Sequence, residues 1–484
     1  MPEEKPLPFV DKQSSGQAVE AGGVLVAMNV VSDQLGAVYR RPGIVSISGV
    51  TSGVVDANGI AGLYKTLSGK IYAVGAMGPE RPIYLLGAGG ALKLGGGLVG
   101  TGLRGTGRPT FAETEMLLVL AGGAEMQKIV LETTSSARLG GTPPSATHVL
   151  GNANRLVAND ATQDKTKVRF SDQAQGTTSY AGHESWGLLG VGDSGFFTAE
   201  GRPDPVVALA EDTNEILVFG SSTLQSFQPD PAIIYAPLST REIGCIAPYS
   251  VAKFDQDFFW MDHLRRFIAG GSRSYDPVSD PIQRTLDNMS TVSDCFGAYV
   301  PLDFMDALVW SFPTDGRTFV FQKGVGWGQW ARQVNGNWGP LGITAWHNPQ
   351  DGGPILIGTS EGKVGTLSFD SNTDFGVPIR ASVTTGFGNR GTDARKWCRS
   401  VKLSLRRGTT QDAIGPQGFL RYRDSMGPWC DPIPVDLGAS GDREPVVRLP
   451  SLGVYRRRQW QFEYAGTESL VLASATEEYE VLGS

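Results

Sequence analysis

An apolar run that passes through a turn into a second apolar run occurs seven times in this 484-residue chain, starting at Lys70, Leu117, Arg155, Ile216, Asp257, Ala307 and Pro354. Successive starts lie 47, 38, 61, 41, 50 and 47 residues apart. Propellers with four-stranded blades repeat at roughly 40 to 50 residues per blade. The spacing therefore predicts an all-β chain built on a β-propeller of about six to seven blades, with an insertion in the one long step. The insertion is expected to reach a neighbouring subunit.

Glycine at 64 of 484 residues, with 29 prolines, breaks the chain into short pieces and favours strands and turns over long helices. A 40% apolar fraction still suffices for a real core. One short helix is expected at Asp280-Pro281, with Asp280 as its cap. After the seventh hairpin the pattern changes to strict alternation: Val401, Leu403 and Leu405, then Trp460, Phe462 and Tyr464, each separated by polar residues. Alternation of this kind marks half-buried strands. The domains expected are an extended, Pro-rich arm over 1–40, a propeller over 41–375 with a Gly-rich insertion near 85–108, and a C-terminal β-sandwich over 376–484. The arm is expected to gain order only against a neighbour.

Charge and cysteine usage exclude several classes. The net charge is −7, and residues 376–484 hold 15 Lys+Arg against 12 Asp+Glu, so the first 375 residues carry 27 against 37. A body at −10 binds nucleic acid poorly by counterion release. Cys245, Cys295, Cys398 and Cys430 are far apart and read as reduced, buried thiols. The start, MPEEKPLPFVDK, has neither the basic stretch nor the apolar core of a secretory signal, and no apolar run is long enough to span a bilayer. Folding in a cytoplasm is the expectation.

Catalytic constellations are sparse. His148, His183, His263 and His347 show no HExxH or HxH spacing, and there is no Gly-x-Ser-x-Gly elbow or Gly-Lys-Ser/Thr phosphate loop. No catalytic, cofactor-binding or metal-binding residue and no cofactor is expected. Paired carboxylates, Asp255 with Asp257 or Asp303 with Asp306, could serve a glycosidase as acid and nucleophile, or simply shape turns. Trp327, Trp330, Trp338 and Trp346 could stack on sugar, or fill space between blades. Arg406-Arg407 and Arg456-Arg457-Arg458 could grip phosphate or an acidic protein, or protect a sheet edge.

A more specific signal runs through the middle of the chain. Val218-Phe219-Gly220-Ser221, Ile243-Gly244-Cys245-Ile246-Ala247-Pro248, Phe259-Trp260, Pro281-Ile282-Gln283-Arg284 and Phe312-Pro313-Thr314-x-Gly316-Arg317-Thr318-Phe319 resemble the packaged-DNA stabilisation proteins, or tail hub (nozzle) proteins, of short-tailed bacteriophages. Arg41-Pro42-Gly43 and the segment from Tyr455 to Tyr464 fit the same pattern, and the resemblance spans about residues 39–480. It implies a non-enzymatic virion tail protein, assembled in the host cytoplasm as a homohexameric ring below the portal and its adaptor. The ring would seal the DNA exit channel and conduct DNA during ejection. The implied partners are copies of itself, the adaptor or head-to-tail connector, tail fibre or tailspike proteins, and double-stranded DNA bound without sequence specificity. A propeller glycosidase or glycan-binding protein acting on cell-surface polysaccharide is the alternative.

Overall fold

The computed structural model describes residues 3–7, 24–33, 36–47, 54–87, 90–95, 102–174, 179–187, 194–199, 204–271, 274–302, 305–349, 352–407, 417–437 and 444–483. Each of the seven expected hairpins forms the two middle strands of a four-stranded antiparallel sheet. Five of these sheets stand alone; the other two open larger sheets of nine and six strands. Their innermost strands are Ile60–Lys65, Thr110–Glu113, Val149–Asn152, Val206–Asp212, Ala252–Phe254, Phe296–Leu302 and Ile343–His347. All seven contribute to the wall of one axial cavity, which makes the assembly a propeller. Here the seven sheets are blades one to seven in chain order.

Six blades are built from contiguous chain, and the seventh is closed by a distant strand. Gly43–Ser46 pairs antiparallel with Val364–Ser368, Ile44 opposite Leu367, so the beginning of the propeller supplies the outer strand of its last blade. Packing between blades five and six is largely aromatic. Trp310 and Trp327 lie 5.7 Å apart beside Phe267, and the Trp327 indole donates to the Val278 carbonyl of blade five at 2.7 Å. Trp327 and Trp330 are thus inter-element filler, buried at 3% and 1% exposure.

The C-terminal region is sandwich-like. One layer holds Val24–Met28, Ala381–Thr385, Arg458–Tyr464, Gln417–Asp424 and Ile433–Asp436; the other centres on Lys396–Arg407 and Leu470–Val481. Val401, Leu403, Leu405, Trp460, Phe462 and Tyr464 all enter its core, as their alternation requires.

Four expectations need revision. The described parts of residues 1–40 are not a separate arm: Glu3–Pro6 pairs with Leu470–Val481, Val24–Met28 with Ala381–Thr385, and Val30–Ser32 with Val38–Arg40, which itself pairs with Leu470–Val481. Leu7, Val30 and Val38 are buried in the sandwich core, so order comes from the same chain. The described parts of the stretch near 85–108 belong to the propeller body rather than to an insertion, because Gly90–Gly95 is the outer strand of blade one and Leu103–Arg104 pairs with Glu80–Arg81. The long step does carry extra chain inside blade three, yet its described part folds back on blade two: Glu184 bonds Lys128 Nζ at 2.5 Å and the Gly140 N–H at 2.7 Å. Asp280 opens a 3-10 turn ahead of the helix Gln283–Asp287, and Ser279 holds the cap position.

Candidate functional site

Three constellations emerge from the fold. The first lies on the propeller axis and is built by a sequence landmark. Gly220 ends a strand of blade four, and its carbonyl accepts the Cys245 N–H at 2.9 Å. The segment Ile243 to Pro248 then turns inward, and the Pro248 carbonyl meets His148 Nε2 of blade three at 3.0 Å. Tyr249 follows and stacks on the His148 ring, with centroids 5.1 Å apart. Burial pushes His148 down to about 4, so it is a neutral spacer at physiological pH.

Contacts then cross the axis. Arg108, entering blade two, lies 3.5 Å over the Phe296 ring of blade six and donates to the Thr344 carbonyl of blade seven. An added Cβ on Gly107 of blade two would come within 2.9 Å of the Tyr249 hydroxyl, so the tyrosine from blade five has crossed to the far side. Side chains from opposite blades that touch close the channel at that level. The remaining cavity, about 410 Å³, has room for roughly a dozen waters at about 30 Å³ each. A duplex, whose major groove alone is about 12 Å wide, cannot thread it.

The second constellation joins propeller to sandwich. Met28 pairs in parallel with Gln329 of blade six, so one nine-stranded sheet runs from the blade into the sandwich. At the crossing Asn29 is buried with φ +56°, a region asparagine tolerates better than most residues. Its side-chain amide donates to the Ala331 and Arg380 carbonyls at 2.8 Å each, and its oxygen accepts from Arg41 Nε at 2.9 Å and the Ala331 N–H at 2.8 Å. Arg41, 1% exposed, also grips both oxygens of Asp374 at 2.9 and 2.5 Å. Every polar atom of the Asn29 side chain is used, which fixes the two bodies relative to each other.

A third device explains the Gly220-Ser221 landmark. Asp204, buried at 3% exposure, accepts the N–H groups of Ser221, Ser222 and Thr223 at 2.9, 2.8 and 2.8 Å, and hydroxyls from the same residues. A Cβ on Gly220 would lie 2.3 Å from the Asp204 carboxylate, which is why glycine stands there. Burial alone would raise this carboxyl, but the bonds from Ser221, Ser222 and Thr223 outweigh it and hold it below its ordinary range. Its stabilising contribution is complete above its unfolded value of about 4 and is lost as pH falls through the lowered folded value. Asp204→Ala is expected to cost about 3 kcal/mol by leaving several buried donors unmet, and Gly220→Ala about 1–3 kcal/mol by overpacking. Thermal unfolding at neutral pH checks both, and the loss for Asp204→Ala should shrink below pH 4.

The sequence candidates for chemistry are dispersed. Asp255 sits at a hairpin turn with φ +58°, Asp257 faces Lys323 at 3.7 Å, and Asp306 accepts the Tyr299 hydroxyl. None of these three lines the axial cavity, and Asp303 lies outside the described residues. Trp338 is 36% exposed and Trp346 half-buried. Arg458 is no phosphate grip: it is buried and bidentate to Asp424 at 2.7 and 2.9 Å, while Arg406, Arg456 and Arg457 are exposed. Cys245, Cys295 and Cys398 are buried free thiols and Cys430 is half-buried. Among the described residues no group of three or more His, Cys, Asp or Glu is arranged to hold a metal, and no helix is long and apolar enough to cross a membrane.

Asn29, Arg108, Asp204 and Tyr249 escaped the sequence reading. Arg108-Pro109 and Pro248-Tyr249 each stand just before an inner strand, a position from which side chains reach the axis. That placement was the available signal.

Residues 192–268 match the family model described as Bacteriophage P22 Gp10, beta-propeller. No curated protein matches the chain. Solved structures similar to it include virginiamycin B lyase from Staphylococcus aureus, 7% identical with TM-score 0.43, over 65% of this chain and 96% of that one. Another is PorZ, a surface component of the type-IX secretion system of Porphyromonas gingivalis, 12% identical with TM-score 0.39, over 79% of this chain and 46% of that one. The family match covers blade four, most of blade five and the outer strand of blade three, which is where Asp204, Gly220 and the segment leading to Tyr249 lie. Over that part the chain is similar to a bacteriophage structural family of packaged-DNA stabilisation.

Proposed function

We propose that this chain is a non-enzymatic structural subunit of a bacteriophage tail, a hub or nozzle that stabilises packaged DNA as a ring below the portal and adaptor. The family match over residues 192–268 carries the reading. Six copies form a closed ring through heterologous interfaces, flanked by the adaptor on one side and by tail fibres or tailspikes on the other. Double-stranded DNA passes along the ring axis between subunits, because the propeller axis itself is crossed by Arg108, Phe296 and Tyr249. The excess of acidic residues over the first 375 positions keeps phosphates from adhering to the conduit. The joined nine-stranded sheet suits a part held under tension, since it ties propeller to sandwich without a flexible linker.

Native mass spectrometry of the purified protein, with peptide mapping of purified virions, tests this. A hexamer and peptides from mature particles are expected; a strictly monomeric protein missing from particles refutes the reading. The glycosidase alternative has its own test. Incubation with bacterial polysaccharides should release no new reducing ends, and Asp255→Ala, Asp257→Ala, Asp303→Ala and Asp306→Ala should behave like the parent. Turnover that one of these substitutions abolishes would favour the enzyme.

A further inference from the structure

The nine-stranded sheet that joins blade six to the sandwich has two faces, and the sandwich core uses only one of them. Alternation sends Val383, Trp460 and Phe462 into that core. Met28, Ser382, Thr384 and Gln461 face the other way and floor a cleft of about 640 Å³, within the size range of small-molecule sites. On the propeller side the cleft is lined by the blade-six turn Asp315 to Arg317 and by Trp338 and Pro340; on the sandwich side by Arg423 and Trp429.

Aromatic rings and amides meet here. Of Trp327, Trp330, Trp338 and Trp346 only Trp338 is exposed. An arginine backs each indole of the cleft: the Arg380 guanidinium lies 5.3 Å over Trp338 and that of Arg423 4.9 Å over Trp429. Both arginines are pinned, Arg380 to Glu463 at 2.6 Å and Arg423 to Gln459 at 2.5 Å, so each ring is held in place and keeps a second face for a ligand. On the floor Gln461 donates its amide to the Ser382 and Thr384 hydroxyls at 3.3 Å each, which leaves its carbonyl oxygen to accept. The Gln329 side chain, also on the lining, bonds no other described residue.

We propose that this cleft binds an oligosaccharide. The apolar C–H face of a sugar ring packs on an indole, and its hydroxyls, each donor and acceptor at once, match planar amides. Other occupants fit less well. The floor strands are paired on both sides, so an extended peptide finds no sheet edge to join, and an amphipathic helix needs an apolar groove where this floor carries amides and hydroxyls. Asp315 is the only carboxylate on the lining among the described residues, and Ser290 and Thr291 occupy both its oxygens. Glycoside hydrolysis takes two carboxylates, so the cleft holds glycan without cutting it. The site does not depend on the virion reading.

The test presents the full chain to an array of neutral and carboxylated bacterial polysaccharide fragments, followed by titration calorimetry with the fragment that binds best. Saturable binding is expected, and a blank array overturns the proposal. Trp338→Ala should weaken that fragment roughly five- to tenfold, the loss of one stacked ring, while Trp338→Phe keeps most of the affinity. Affinity that Trp338→Ala leaves unchanged overturns the site. Hydrogen exchange of the parent chain decides without any variant: the bound fragment should slow exchange at 315–317 and 338–339, and slowing confined to other segments overturns the assignment. A Trp338→Ala chain that no longer assembles with itself, together with a blank array, makes the cleft a protein contact and likewise overturns the proposal.

Discussion

Deleting residues 1–36 is expected to unfold the sandwich while the propeller survives. The deletion removes Glu3–Pro6, Val24–Met28 and Val30–Ser32, strands that pair with Leu470–Val481, with Ala381–Thr385 and with Val38–Arg40. It also removes Leu7 and Val30 from the core, each under 10% exposed. A lost buried aliphatic residue costs about 2–5 kcal/mol with its cavity, and whole domains are stable by only about 5–15 kcal/mol. The sandwich therefore has too little left to hold. Gly43–Ser46 remains, so blade seven still closes. Differential scanning calorimetry should show one transition lost and one kept, with proteolysis confined to residues beyond about 376. An unchanged profile would mean that the first 36 residues are a dispensable arm after all.

Arg41→Ala has the next largest expected effect, about 3–5 kcal/mol, the range for removing one partner of a buried ion pair. The loss concentrates at one joint, because Arg41 serves Asn29 and Asp374 together. Propeller and sandwich should then unfold in separate steps. Asp374→Asn keeps the shape but leaves the Arg41 charge unmatched, so it too should destabilise. The double variant Arg41→Met with Asp374→Leu should cost less than the two single changes added. A change in stability below about 0.5 kcal/mol for Arg41→Ala would place that residue among ordinary surface positions.

Which parts of this were legible in the chain follows from the range of the interactions. The seven hairpins were readable because both apolar runs and their turn lie within one short window of the chain. The sandwich core was readable for the same reason at Val401 to Leu405 and Trp460 to Tyr464. Strand pairings over several hundred residues leave no such trace: Met28 meets Gln329, and Ile44 meets Leu367. A Pro-rich start therefore reads as an arm, although four of its short segments are strands. Gly90–Gly95 was hidden by composition, since an outer strand of a blade needs little apolar pattern to pair.

The sites divide along the same line. Glycine landmarks in the sequence pointed to real close approaches, such as Gly220 against Asp204. Their acidic and basic partners did not announce themselves. Asp204 precedes the turn that donates to it by a whole hairpin, and Arg81 looks like an ordinary charged turn residue until Glu80 is seen to be taken by Arg104 and Arg138. Polar residues at turns carry the same identity whether they are solvated or buried, so only the fold separates them.

Virions assembled without this protein give the most direct test of its central role. If the chain seals packaged DNA, particles from a host in which its synthesis is blocked should fill with DNA and then lose it, and supplying the protein in trans should restore retention. Nuclease protection of particle DNA, followed over time, reads this out. Particles that lack the chain and still hold a full, nuclease-protected genome would contradict the account.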